Sequence, residues 1–143
     1  MSRFADDRLE RLVSAFESLV PTKVDALAAL YAEDAHFRDP FNDVRGRAAV
    51  VRIFDHMFEQ LDAPRFKVHS AMSDGADAWL EWTMYLQLRG RELSIEGATR
   101  LRFDDVGRVA EHRDYWDAAQ ELYEKLPVLG SLMRWLRRRL GAA

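Results

Sequence analysis

The chain has 143 residues, 48% of them hydrophobic and 31% charged, with a net charge of −3, a balance that suits one globular domain with a buried core. The acidic balance gives no electrostatic basis for binding nucleic acid. The lack of cysteine excludes disulfides and thiolate metal sites, and no run of about 18 apolar residues suggests a membrane span.

The charged residues 1–10 do not read as a secretory signal, so a cytoplasmic location is expected. Over residues 7–20, Leu9, Leu12, Val13, Phe16, Leu19 and Val20 recur at helical spacing. Pro21 interrupts the pattern. Thr22 is the expected N-cap of a second, short helix carrying Val24, Leu27, Leu30 and Tyr31. Residues 35–40 read as a strand in which Phe37 and Asp39 face one way and His36 and Arg38 the other. Phe41, Asn42 and Asp43 are expected in a loop. Gly46 then leads into a third helix with Val50, Val51, Phe54, Met57, Phe58 and Leu61 on one side, and Pro64 lies beyond its end.

Four strand-like runs follow, at residues 66–72, 78–88, 92–103 and 108–116, each pair separated by a turn signal such as Ser73-Asp74-Gly75 or Arg89-Gly90-Arg91. That punctuation predicts an antiparallel meander. Helices first and strands later is α+β order. After Asp117 a helix is expected over residues 118–126, interrupted by Pro127 and Gly130. A basic amphipathic helix over 131–140 then sets Leu132, Met133, Trp135, Leu136 and Leu140 against Arg134, Arg137, Arg138 and Arg139. Its apolar side favours packing on the body or on a partner subunit, since one short helix would hold a membrane only weakly.

Three segments resemble a known family. They are Leu30-Tyr31-Ala32-Glu33-Asp34-Ala35-His36-Phe37-Arg38-Asp39-Pro40, then Gly46-Arg47-Ala48-Ala49-Val50, and finally Leu101-Arg102-Phe103-Asp104-Asp105-Val106-Gly107-Arg108-Val109 followed by Glu111-His112-Arg113-Asp114-Tyr115-Trp116-Asp117. Their order and separation are similar to the nuclear transport factor 2-like superfamily, in its SnoaL-like and ketosteroid isomerase-like branch. The resemblance covers about residues 8–117 of one domain spanning 1–143, with 118–143 as a C-terminal helical extension. It implies a curved, largely antiparallel (mixed) sheet wrapped on N-terminal helices into a cone with a central pocket. It also implies a homodimer through the outer sheet face, where Trp79, Glu81, Thr83 and Tyr85 would lie and where Glu96 and Arg113 would form a solvated ladder.

Within this superfamily isomerases, cyclases, dehydratases, epoxide hydrolases and non-catalytic binders share the fold, so function must come from the site. In ketosteroid isomerases the carboxylate before the strand-ending proline is the general base, and that position is Asp39. Their oxyanion hole uses a first-helix tyrosine and a protonated aspartate on a later strand; these positions fall near Ala15 or Phe16 and on Thr99, so that pair of donors is not carried over. SnoaL-like cyclases use an acidic residue on the late strands as acid/base, a role the resemblance gives to Asp114.

Alternation on the last strand puts His112, Asp114 and Trp116 on one face. Asp39, Asp114, His112 and Thr99 would then share a cavity walled by Phe37, Leu80, Trp82, Met84, Leu86, Leu101, Phe103 and Trp116. A carboxyl desolvated there has a raised pKa, which suits general acid/base work near neutrality. The same residues admit plainer roles: Asp39 as a turn former before Pro40, Asp114 paired with Arg100 or Arg102, His112 as a satisfied strand histidine. His36, His56, His69 and His112 show no metal-ligand spacing, and no nucleotide-binding or nucleophile motif occurs, so neither metal nor cofactor is expected. The function expected is a cofactor-independent acid/base enzyme (isomerase, cyclase or dehydratase type) acting on a small hydrophobic molecule. The alternatives are a non-catalytic binding module, with its acids neutralised by internal arginines, and an interaction domain with a filled cone.

Overall fold

The computed structural model describes residues 3–88, 90–117 and 129–141. Helix α1 (Asp7–Glu17) starts at Asp6, whose carboxylate accepts the Arg8 backbone N–H at 2.9 Å and so satisfies one of the free amides of the first turn. Its stripe of Leu9, Leu12, Val13 and Phe16 is buried. A 3-10 turn (Pro21–Lys23) leads into α2 (Val24–Ala28). The expected Thr22 N-cap does not form. Thr22 lies inside the 3-10 turn, for which Pro21 presets the backbone, and α2 has no side-chain cap. Helix α2 is also shorter than its apolar spacing predicts, and Tyr31 opens a strand instead.

That strand is β1 (Tyr31–Arg38). It turns at Asp39 to Asn42 and pairs with β2 (Asp43–Arg45), Phe37 opposite Val44 and Arg38 opposite Asp43. Asp43 is thus in a strand rather than in the expected loop; three residues are too few to show a period. Gly46, at φ 103°, takes the chain from β2 into α3 (Arg47–Gln60) and donates its N–H to Ala35 O at 2.8 Å. That positive φ favours glycine.

Strands β3 (Asp62–Asp74), β4 (Asp77–Leu88), β5 (Arg91–Phe103) and β6 (Val109–Tyr115) form the expected antiparallel meander. The six-stranded sheet runs β2-β1-β6-β5-β4-β3, and β1 lies parallel to β6, which makes it mixed. Strand β3 begins earlier than predicted and includes Pro64. It is the edge strand, with a register shift between Asp62 and Arg65, the setting in which a strand tolerates proline. Further shifts occur in the β1–β6, β3–β4 and β5–β6 pairings; such bulges bend strands and allow the sheet to wrap.

Alternate residues of β4 (Ala78, Leu80, Trp82, Met84 and Leu86) point into the core, with α1 and α3 supplying Phe16, Val50, Ile53 and Phe54. On the outer face Trp79 is 40% exposed and Tyr115 46%. Thr83 is buried and bonded to His69 at 2.7 Å, so it does not stand on that face as an open interface residue. Helix α4 (Leu129–Leu140) contains Gly130 rather than stopping at it; one glycine costs a helix only about 1 kcal/mol. The helix packs on α3, with Leu136 buried and the Arg139 guanidinium donating to Gln60 Oε1. The helix expected over 118–126 lies outside the described residues. No helix among the described residues is long and apolar enough to cross a membrane.

Candidate active site

Asp39 occupies the turn between β1 and β2. Its Oδ1 accepts the backbone N–H of Phe41 at 2.8 Å and of Asn42 at 2.6 Å, and the Asn42 side-chain amide donates to both carboxyl oxygens at 3.1 Å. The Asp-Pro pair therefore does make a turn, as the plainer reading held. The same carboxyl is largely desolvated. Burial first, and the nearby charge of Asp114 second, push its pKa up to about 6, against the lowering effect of the Asn42 and Phe41 donors.

Asp114 is carried by β6. Neither Arg100 nor Arg102 pairs with it: both project from the outer face, where Arg100 reaches Asp77 at 3.8 Å. Instead its Oδ1 takes two hydrogen bonds, from Thr99 Oγ1 at 2.6 Å and from His112 Nε2 at 2.7 Å. The donor roles follow from what each group can do. Trp82 Nε1–H donates to Thr99 Oγ1 at 2.8 Å, leaving the threonine proton for Asp114. Tyr31, fully buried on β1, sits with its hydroxyl 2.8 Å from His112 Nδ1. Burial first and the Asp114 charge second push the Tyr31 phenol well above its usual range, so it stays protonated and donates. His112 Nε2 then carries the hydrogen aimed at Asp114. Phe37 stacks on the imidazole with centroids 4.3 Å apart.

A test of that relay is Tyr31→Phe. It leaves His112 Nδ1 buried without its donor, which costs about 1–3 kcal/mol. Urea unfolding is expected to show this loss, and the His112 Nδ1 resonance is expected to shift; an unchanged nitrogen spectrum would contradict the assignment.

Asp39 and Asp114 both face an apolar cavity of about 80 Å³. Of the predicted wall, Phe37, Trp82, Met84 and Trp116 line it, joined by Phe41, Phe54, Phe66 and Leu140. A second cavity of about 30 Å³, lined by Leu80, Trp82, Thr99 and His112, also touches Asp114. Leu86, Leu101 and Phe103 are buried but line neither space. On the far side Asp39, Asp114 and Trp116 border an open groove of about 600 Å³, so the two carboxyls stand at the mouth between solvent and the cavity. Drug-sized ligands need roughly 300 Å³ or more; the aromatic side chains have left room for a guest of only a few heavy atoms.

Sequence reasoning missed Tyr31, Asn42 and Gly97. Tyr31 hid in an apolar helical spacing. Asn42 read as a loop residue, yet it clamps Asp39 and also donates to Leu140 O at 3.1 Å. Gly97 faces Trp82 across β4 and β5 and gives the indole the space a side chain would take; a glycine inside a strand is the signal that marked it. The hydrogens of Thr99 and His112 that reach the site are committed to Asp114, so neither is left to donate to a ligand oxygen. No group of three or more His, Cys, Asp or Glu among the described residues could hold a metal ion.

Residues 9–112 match the family model described as a SnoaL-like domain. No curated protein matches the chain in sequence. Among solved structures, a Catenulispora acidiphila protein of ketosteroid isomerase-like fold, in complex with trimethylamine, shares 18% identity with a TM-score of 0.73, over 87% of this chain and 96% of that one. A Mycobacterium tuberculosis LEH-like epoxide hydrolase shares 22% identity at a TM-score of 0.68, over 90% and 92%. An NTF2-like Burkholderia pseudomallei protein of unknown function shares 16% at 0.72, over 82% and 96%. At these identities the likeness is one of fold.

Proposed function

The chain belongs to the SnoaL-like family, and on that premise we propose that it is a cofactor-independent acid/base enzyme acting on a small, largely apolar substrate. Asp39 is the general base. Asp114, oriented by His112, Thr99 and Tyr31, holds the charge that keeps Asp39 basic. One observation carries the reading: Asp39 lines an apolar cavity beside a second carboxyl, with its pKa raised to about 6, where a carboxyl takes and returns a proton at neutral pH. In the step proposed, the Asp39 carboxylate removes a proton from a C–H beside a carbonyl; the electron pair moves onto the carbonyl oxygen as an enolate, and neutral Asp39 returns the proton to a different carbon or to the same one.

The non-catalytic alternative expected internal arginines neutralising the acids. Among the described residues no arginine or lysine lines the cavity, which favours the enzyme. The outer-face homodimer belongs to the same proposal; exposed Trp79, Met72 and Tyr115 support it, and sedimentation equilibrium reads it directly.

Proton abstraction is tested without knowing the substrate, by following loss of C–H signals from small ketones and aldehydes in deuterated water. The expected result is catalysed exchange that rises with pH through about 6 and falls by about 10²–10⁴-fold in Asp39→Asn. Exchange that Asp39→Asn leaves unchanged would overturn the assignment.

A further inference from the structure

The composition of the cavity wall points to a ligand class, and we infer that the site takes a small apolar amine, bound as its ammonium ion. This rests on the reading that the cavity is the substrate site. Two carboxyls face the same small space, and among the described residues lining it there is no lysine or arginine to offset them. Beside aliphatic side chains, the wall around them includes the aromatic rings of Phe37, Phe41, Phe54, Phe66, Trp82 and Trp116. Aromatic faces carry negative potential and attract cations, most strongly where water is excluded.

Each alternative guest leaves a mismatch. A neutral hydrocarbon fills the space but leaves the two carboxyls repelling each other beside it. An anion adds to that repulsion. A small ammonium ion donates hydrogen bonds to the carboxylates while its alkyl groups lie on the rings. About 80 Å³ limits the guest to a few carbon atoms. The cation also supplies what the wall lacks: with the Thr99 and His112 hydrogens committed to Asp114, the substrate's own positive charge is available to stabilise an enolate formed next to it.

Among the described residues the titratable groups on this cavity are Asp39, from the turn after β1, and Asp114, from β6. His112 stands behind Asp114 and Tyr31 behind His112, while Arg38, Asp43, Arg113, Tyr115 and Asp117 border the outer groove and do not line the cavity. An alkylammonium ion stays protonated well above neutrality, so Asp39 is the group that must lose a proton on binding. Affinity for the cation therefore rises as pH climbs through the Asp39 titration.

The test titrates the full chain with tert-butylammonium and with tert-butanol, a neutral molecule of nearly the same shape, and follows the indole signals of Trp82 and Trp116 by NMR. At pH 8 the ammonium is expected to bind at least tenfold more tightly than the alcohol and to weaken several-fold at pH 5. In Asp39→Asn, which keeps an oxygen to accept the turn hydrogen bonds, the ammonium is expected to lose about tenfold and the alcohol nothing. Equal binding of the two ligands, ammonium binding that Asp39→Asn does not change, or no saturable shift with either would overturn the ammonium class. The acid/base reading is judged separately, by proton exchange on neutral carbonyl compounds and by the titration of Asp39 itself.

Discussion

Asp39→Asn is expected to stabilise the protein at pH 8 and to give no gain at pH 4. The pKa of Asp39 is raised from 3.8 to about 6, so between those values the folded chain binds more protons than the unfolded one. Folding stability accordingly declines as pH rises through that window, and the full cost is present above it. A rise of about two pKa units corresponds to about 3 kcal/mol. Asparagine removes the charge and keeps an acceptor for the Phe41 and Asn42 amides, but it loses the second carboxyl oxygen that the Asn42 side chain uses. A net gain of about 1–3 kcal/mol at pH 8 remains. Urea unfolding of both proteins at the two pH values measures it. A destabilised variant at pH 8 would mean that Asp39 is held as a turn carboxylate and that its desolvation is minor. The expected combination, a more stable protein with less activity, is what a functional group held against folding stability produces.

Gly97→Ala is expected to have the largest opposite effect. A Cβ at residue 97 would lie 2.6 and 2.7 Å from the Trp82 ring and 3.1 Å from Trp116 Cβ. Gly97 sits in the regular middle of β5, opposite Trp82, so the backbone cannot step aside without breaking the ladder. The indole must move, and with it goes the bond from Trp82 Nε1 to Thr99 Oγ1 that leaves the threonine proton for Asp114. Overpacking and the lost hydrogen bond together cost about 2–5 kcal/mol. Thermal unfolding reads that loss, and Trp82 fluorescence reads the displaced ring. An alanine variant of unchanged stability and spectrum would show that the Trp82 ring has room to spare.

Much of the fold was legible because its elements are long and periodic. Helices α1 and α3 and the meander β3 to β6 announce themselves through apolar spacing and turn residues. The elements that resisted are short or locally ambiguous. Strand β2 has only three residues. Tyr31 satisfies a helical pattern equally well, and its place on β1 is decided by pairing with β6 opposite Val109. At the site, alternation placed His112 and Asp114 on one face, and the position before Pro40 marked Asp39. The hydrogen bonds that give these groups their roles join β1, β4, β5 and β6, and no spacing in the sequence records them. The size of the cavity was equally hidden, because the packing of Phe37, Trp82 and Trp116 depends on how the helices close over the sheet.

The catalytic role proposed for Asp39 rests on desolvation of its carboxyl and on the nearby charge of Asp114, which together raise its pKa. It is tested most directly by a carbon NMR titration of the Asp39 carboxyl, in the native chain and in Asp114→Asn. Asp39 is expected to titrate near 6 in the native chain and to move down toward the ordinary carboxylate range when the Asp114 charge is removed. Titration of Asp39 in the ordinary carboxylate range in both proteins would contradict that role, and would make Asp39 a turn residue alone.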